Sequence, residues 1–564
     1  MVKIGPAFSD YIKLEKGQRH PGNFGKIYEV RGYLLPLIIV IVSILIVARL
    51  FFLQIIKGSS YRNLSDVNRT KTIAIHAPRG IIFDRDGVPL VFNVPGFRLT
   101  MGDKIKLIDK NEALKLISKG KTNLEIDSLR NYPYKELTSH VIGYIGQISQ
   151  EELKEKEFVD YKGGDLIGKM GIEGKYESVL RGVDGKELVE INSMGKTMRK
   201  LGKEDPIPGK NITLTLDIAL QKAAFDAMKD TKKGAVIVSS PNGEILALLS
   251  KPSFDANLFT MGSAMQNSES LVTQILNDSE NQPLLNRAIG GTYPPGSTFK
   301  LVTAAAGLED KIIDKNFTVE DMGILKVGDF SFGNWYFMQY GKTEGEVNVV
   351  KGIMRSNDIF FYKLAELVGV DRLSRFAEKF GLGKKLGIDL SGEQSGTVPT
   401  QKWKKDIIGE NWYLGDTYHY GIGQGFLLTT PLQVNILTQA IVNGGTIYQP
   451  HLLKNSKSEI RSSKFLSKET VDLIKEGMIE SCSTGGVAWP LFELKVKSKL
   501  LTVACKTGTA QHGGEETLPH AWITLFAPAE KPEIIVTVLS ESSGEGSNIA
   551  APIAKKILEE WFGR

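Results

Sequence analysis

The sequence predicts an α+β protein in three parts: a membrane anchor, a middle region of short β-like runs, and a C-terminal domain whose antiparallel sheet is flanked by helices. Three observations carry this. A single long apolar stretch stands near the N-terminus, and short β-like runs broken by tight turns follow it. After residue 210 a β-hairpin precedes a largely helical middle, and three more apolar runs come behind it.

The anchor is YLLPLIIVIVSILIVARLFFLQII, Tyr33–Ile56, with Ser43, Arg49 and Gln54 as its polar interruptions. A bilayer core needs about 20 apolar residues, so the length fits a spanning helix. A cleaved signal peptide has a shorter apolar core of about 7–15 residues and a small-residue cleavage site. Here FFLQIIKGSSYRN follows instead, so the anchor is expected to remain. Arg49 lies near one end, where its side chain can snorkel to the headgroups. Residues 1–32 carry six Lys/Arg against three acidic residues. They are expected to form a cytoplasmic tail, placing the rest outside a single-pass plasma (inner) membrane anchor.

Residues 57–210 read as the middle region. TIAIHAPRGIIFDRDGVPLVFN has short β-like runs between Pro-Arg-Gly and Asp-Gly turns. The lysine-rich residues 104–131 are too short and too weakly periodic to stand as a domain, and KEDPIPGK, residues 203–210, reads as a linker. Residues 211–564 form the last domain. GAVIVSSPNGEILALLS is a hairpin around Pro-Asn-Gly, and STFKLVTAAAGLE, FFYKLAELV and DRLSRFAEKFG are helical. LTVACKTGTA, HAWITLFAPA and EIIVTVLSES are strands, and APIAKKILEEWF is a closing helix. The hairpin and the three strands are expected to form one antiparallel sheet drawn from both ends of the domain.

The net charge of +6 is spread over 564 residues without a basic stripe interleaved with aromatics, which excludes a nucleic-acid partner. The seven histidines include no HExxH pair, and Cys482 and Cys505 lie outside any metal spacing. Two free thiols are expected, with Cys505 acting as a small apolar strand residue; one disulfide is the alternative.

The chemistry starts at GGTYPPGSTFK, residues 290–300. Ser297 and Lys300 stand three apart, on one helical face at about 5–6 Å between Cβ atoms. A serine hydroxyl needs a base to become a nucleophile. Lysine can be that base once burial lowers its pKa from about 10.4 towards neutrality. The plainer reading is a capping serine and an exposed lysine, and Ser118 with Lys121 and Ser193 with Lys196 show how common the spacing is. Order favours chemistry here: Ser356-Asn357-Asp358 follows, then Lys506-Thr507-Gly508-Thr509. Their plainer readings are a helix cap and a strand-end lysine before a glycine bulge.

Together these elements resemble the active-site set of the penicillin-binding and serine β-lactamase superfamily. LLNRAIGGTYPPGSTFK, RSNDIFFYKLA, GIGQGFLLTTPLQ, CKTGTAQ and HAWITLFAPAEKP, with PRGIIFDRDG and GKMGIEGKYESVLRG, are similar to class B penicillin-binding proteins. The Ser-x-Asp triplet, HVIGYIG and HAWITLFAP point to the elongation-type members. The resemblance implies that residues 57–210 are an elongated, β-rich dimerisation-type pedestal and that the chain is a peptidoglycan D,D-transpeptidase. Ser297 would attack the penultimate D-Ala carbonyl of a stem peptide ending in D-Ala-D-Ala, and Lys300 would be the base. Ser356 would relay a proton, Asp358 would orient Lys300, and Lys506 would add positive charge. Thr507, Gly508 and Thr509 would bind the substrate carboxylate, with the Ser297 and Thr509 N–H groups as the oxyanion hole. β-Lactams would acylate Ser297.

Departures from the family accompany this. The chain between PRGIIFDRDG and HVIGYIG is short, so a reduced outer lobe is expected. Some members bind zinc after the Ser-x-x-Lys helix, but residues 316–342 hold neither His nor Cys, so no metal and no cofactor are expected. Asn357 stands where relatives often have Cys, and is expected to matter little. Glycan polymerisation is left to a partner, a SEDS-type membrane glycosyltransferase. The alternatives are a division-type transpeptidase, a D,D-carboxypeptidase, and a β-lactam sensor or non-catalytic activator of a glycosyltransferase.

Overall fold

The computed structural model describes residues 28–101, 104–120, 124–192, 197–260, 268–456, 459–514 and 516–564. The expected tail lies outside them as far as residue 27, as do Lys121, Ser193 and Lys196 of the competing Ser-x-x-Lys matches.

Among the described residues, one compact unit comprises residues 28–74, 186–192 and 197–204. Helix α1, Tyr28–Phe51, continues into a π-helical turn, Phe52–Ile56. The 24 residues Tyr33–Ile56 thus form one apolar helical stretch in which no residue is buried. Among the described residues it is the one helix long and apolar enough to cross a bilayer, and it fits a single membrane anchor. Helix Gly58–Arg69 follows, and strand Thr70–Ile75 pairs with Gly185–Ile191, which pairs antiparallel with Thr197–Glu204.

The second unit comprises the described residues between 75 and 185 and between 205 and 564. Its long strand Pro89–Met101 pairs antiparallel with Lys104–Ile108 and with Leu124–Asn131. The lysine-rich stretch therefore completes a sheet begun by the residues before it. PRGIIFDRDG and GKMGIEGKYES meet in a buried ionic cluster beside this sheet. Arg79 Nη2 donates to Glu173 and to Glu177, each at 2.8 Å, and Arg130 Nε donates to Glu173 at 2.7 Å. Residues 203–210 do not form a free tether. Ile207 and Val183 exchange backbone hydrogen bonds, and the N–H groups of Gly209 and Lys210 donate to Pro78 and Val179. A Cβ on Gly209 would stand 1.8 Å from the Leu180 carbonyl oxygen, so the chain passes there only without a side chain.

The expected sheet is present. Strands β1 (Gly234–Ser239), β2 (Ile245–Lys251), β3 (Ala504–Ala510), β4 (His520–Ala527) and β5 (Ile534–Ser540) lie in the order β2-β1-β5-β4-β3, all antiparallel. The helices that matter are α2 (Ile218–Ala227), α3 (Lys300–Glu309), α4 (Asp358–Val368), α5 (Pro431–Val442), α6 (Lys468–Ser481) and α7 (Ala550–Phe562). Alternate strand residues serve the two faces. Val236, Val238, Ile523, Leu525 and Val536 pack in a cluster with α2 and α7, while Ala235, Ile237, Phe526 and Ile535 pack with α3, α4 and α5. Strand β3 is left at the sheet edge.

The expectation of two free thiols is wrong. Cys482, at the C-terminal end of α6, and Cys505, in β3, form a disulfide with their Cα atoms 5.8 Å apart. Sequence spacing could not show this, because the packing of α6 on β3 sets the Cα distance within disulfide range. The bond closes a separation of 23 residues, and a loop of that length gives about 3 kcal/mol in the chain-entropy picture. Reduction is therefore expected to lower the thermal unfolding midpoint; an unchanged midpoint in reductant would show that the crosslink contributes nothing.

Candidate active site

Pro294 and Pro295 lead into a 3₁₀ turn, Gly296–Phe299, that runs directly into α3. Gly296 has φ +55° and lies against the edge strand, where a Cβ would come within 3.1 Å of the Thr509 carbonyl oxygen. Its N–H donates to the Gly423 carbonyl at 2.9 Å, and the Trp522 indole donates to Pro294 O at 3.1 Å. A Cβ on Gly423, at φ +77°, would stand 2.1 Å from Gly296 O. Ser297 is thereby held in a tightly clamped turn, half-exposed, while Thr298, Phe299 and Lys300 are buried. It is not a helix cap: Pro295 occupies that position, without a side-chain capping bond.

Lys300 is wholly buried. Its Nζ donates to Ser356 O and Asp358 Oδ1, both at 2.7 Å, and to Ser356 Oγ at 3.3 Å. Burial pushes its pKa down; the Asp358 charge opposes this without cancelling it. Lys506 sits mid-strand in β3, in unbroken register opposite Thr524, so no bulge follows it. Its Nζ donates to Ser356 Oγ at 2.8 Å and to Thr507 O at 3.0 Å. Burial, and then the nearby Lys300 charge, hold its pKa well below the usual lysine range. The two amines thus share one hydroxyl.

Ser356 has φ +54°, a left-handed conformation that costs a non-glycine residue about 1–3 kcal/mol. The capping role expected for the triplet falls to Asn357 alone, whose Oδ1 accepts the Phe360 N–H at 2.9 Å. Ser356 and Asp358 are thus left to meet Lys300. Asn357, expected to matter little, is fully buried, and its Nδ2 donates to Asp321 Oδ2 at 2.8 Å. Thr507 is buried and Thr509 exposed on the edge strand. At Gly508 a Cβ would approach Pro295 O to 3.1 Å, bringing β3 against the Ser297 turn.

All the expected site residues therefore lie on three adjoining elements: the Ser297 turn with α3, the residues opening α4, and β3. Sequence reasoning missed Asp321, Asn334 and Trp335, which grip residues 355–358. An Asp and an Asn-Trp pair in a stretch without a family motif carry no spacing signal. Gly423 lay inside a quoted stretch but had no assigned role.

The comparisons agree on what this chain resembles. Residues 233–559 match the penicillin-binding protein transpeptidase domain, and residues 118–214 match the penicillin-binding protein dimerisation domain. The peptidoglycan D,D-transpeptidase MrdA of Acinetobacter baumannii is 32% identical, over 95% of this chain and 88% of the relative. Among solved structures, PBP2 of Helicobacter pylori in complex with MreC has a TM-score of 0.75 at 29% identity, covering 87% of this chain and 98% of that one. A chain from a peptidoglycan synthase complex that coordinates polymerization and crosslinking has a TM-score of 0.73 at 28% identity, covering 94% and 98%.

Proposed function

This chain belongs to the penicillin-binding protein family and is a peptidoglycan D,D-transpeptidase of the elongation type, and we propose that it works through an acyl-enzyme on Ser297. The observation that carries the site assignment is the meeting of Lys300 and Lys506 on one hydroxyl, Ser356 Oγ, beside the turn that presents Ser297. Lys300, with its pKa lowered by burial, takes the Ser297 proton as the hydroxyl attacks the penultimate D-Ala carbonyl. Ser356 Oγ accepts from both lysines, which leaves its own proton free to pass towards the leaving terminal D-Ala. Asp358 orients Lys300, and Lys506 keeps the site positive for the substrate carboxylate, which Thr507 and Thr509 bind beside Gly508. The N–H groups of Ser297 and Thr509 stabilise the oxyanion; one such donor is typically worth about 2.7–4 kcal/mol. Strand β3 is an edge, so an extended stem peptide can add to it as a further strand. A neighbouring stem-peptide amine then takes the acyl group.

Residues 33–56 anchor the chain, residues 57–210 form the pedestal, and residues 211–564 form the transpeptidase domain on the outer, periplasmic face of the membrane. The basic balance of residues 1–32 supports that orientation. Glycan polymerisation belongs to a SEDS-type partner, and an MreC-type protein is a second partner. The occurrence of structural relatives with MreC and in a peptidoglycan synthase complex supports both.

The test is covalent. Full-length protein in detergent is incubated with fluorescent penicillin and digested with trypsin. The adduct is expected on the peptide spanning residues 288–300, and its release should be slow. Label on any other peptide, or none, overturns the Ser297 assignment, and rapid release would mark a β-lactamase instead.

A further inference from the structure

We infer that Asp321 is a positioning residue for acylation, holding residues 355–358 in the one conformation that turns Ser356 and Asp358 together towards Lys300. The inference rests on the Ser297 acyl-enzyme reading and extends it to a segment outside the three motifs.

Asp321 ends the short strand Val319–Asp321, which pairs with Gly345–Val347, and only 1% of its surface is exposed. Its Oδ1 accepts the Gly323 N–H at 2.8 Å. Its Oδ2 accepts from Asn334 Nδ2 and Asn357 Nδ2, both at 2.8 Å, and from the Glu344 N–H at 3.0 Å. Both amides are oriented by their other ends: Asn357 Oδ1 accepts the Phe360 N–H, and Asn334 Oδ1 accepts the Asp358 N–H at 3.1 Å. Each donor to Asp321 is an N–H group. That surrounding suits the Asp321 carboxylate as an anion.

The same segment grips the residues on either side of Ser356. Trp335 N–H donates to Asp358 Oδ2 at 3.0 Å, leaving Oδ1 for Lys300. The Trp335 indole donates to Arg355 O at 3.0 Å, and the Glu344 carboxylate accepts from Arg355 Nε at 2.8 Å. Ser356 sits inside this clamp at φ +54°. A non-glycine residue keeps such a conformation only where its surroundings over-determine it. Asp321 joins the two asparagines and Glu344, so removing its carboxylate frees the clamp while touching none of the reacting groups directly.

The charged groups facing Lys300 are Asp358 from α4 and Lys506 from β3. Asp358 raises the Lys300 pKa, so a clamp that lets Asp358 swing away should move the acidic limb of acylation to lower pH. A residue that merely supported folding would not move that limb.

The test uses the full chain in detergent. Acylation by fluorescent penicillin is followed across pH and scaled to the sites that label exhaustively. Asp321→Ala and Asp321→Asn are expected to acylate about 30-fold more slowly per titrated site, with the acidic limb at lower pH. Asparagine keeps the shape but cannot accept from all the donors around it. Combining Asp321→Asn with Asn357→Asp restores one donor–acceptor pair and should recover several-fold. Parental rate per site with an unmoved limb overturns the proposal, even if fewer sites titrate. Should the Asp321 variants not fold, Asn334→Ala decides: it removes the acceptor for Asp358 N–H and should show the same shift, and no shift overturns the proposal. A Ser297→Ala control that labels like the parent would instead sink the acyl-enzyme reading itself.

Discussion

Replacing Lys300 by alanine is expected to leave the protein folded and to slow acylation by fluorescent penicillin about 10³-fold, within the range for losing a general base. That factor is about 4 kcal/mol of activation free energy. The fold should survive because the ammonium's side-chain partners keep other contacts, and only the Ser356 carbonyl loses its donor. Asp358 keeps the Trp335 N–H on Oδ2, and its side chain is 13% exposed to water. Lys506 still donates to Ser356 Oγ. Alanine also suits the first turn of α3. Lys300→Arg is the sharper control, because guanidinium keeps the charge but cannot give up its proton. The sign of the pH dependence follows from the direction of the shift. Lys300 acts when neutral, and burial lowers its pKa. Acylation by the parent should therefore persist below the ordinary lysine pKa and fail as pH drops through the lowered one. Parental acylation by Lys300→Ala or Lys300→Arg would remove lysine from the mechanism.

The largest structural effect is expected from Glu173→Gln, a loss of about 3–5 kcal/mol, the cost of breaking one partner out of a buried ion pair. Glu173 is completely buried, the Arg130 side chain is 1% exposed, and Arg79 is 10% exposed. Arg79 would retain the Glu177 carboxylate, but Arg130 would lose its carboxylate partner and keep only neutral acceptors, the new amide oxygen and the Asn93 amide oxygen at 3.2 Å. Its Nη2 is already buried without a hydrogen-bond partner. Burial by itself would raise the Glu173 pKa, but the Arg130 and Arg79 charges outweigh it and hold the carboxyl below its usual range. A folded pKa below the unfolded one stabilises above the unfolded value, about 4.3, and that contribution disappears as pH falls through the folded one. The unfolding midpoints of parent and variant should therefore differ most near neutral pH and converge in acid. Equal midpoints at pH 7 would show that the cluster is not a keystone of this unit.

Legibility followed the range of the physics. The hairpin, the three closing strands and the helices between them were readable because period and turn chemistry are local, and the ladder β2-β1-β5-β4-β3 joins those same runs. The Ser297 and Lys300 pair was readable because spacing along a helix is local too. Asp321 was not: its partners at 334, 344 and 357 are remote in sequence and gather only once the short strands pair. Residues 203–210 misled for a related reason, because proline and glycine there serve a close backbone crossing as well as they would a tether.

The sequence by itself determined the long apolar helix that fits an anchor, the composition of the catalytic sheet, and the residue types from which an acyl-transfer site can be made, since each depends on order and pattern along the chain. Only the tertiary structure decided that Cys482 and Cys505 are joined, that Lys300 and Lys506 meet on Ser356, and that Asp321 accepts a hydrogen bond from Asn357 inside the triplet. Those outcomes depend on burial and on distances between remote segments, which exist only after the chain has packed.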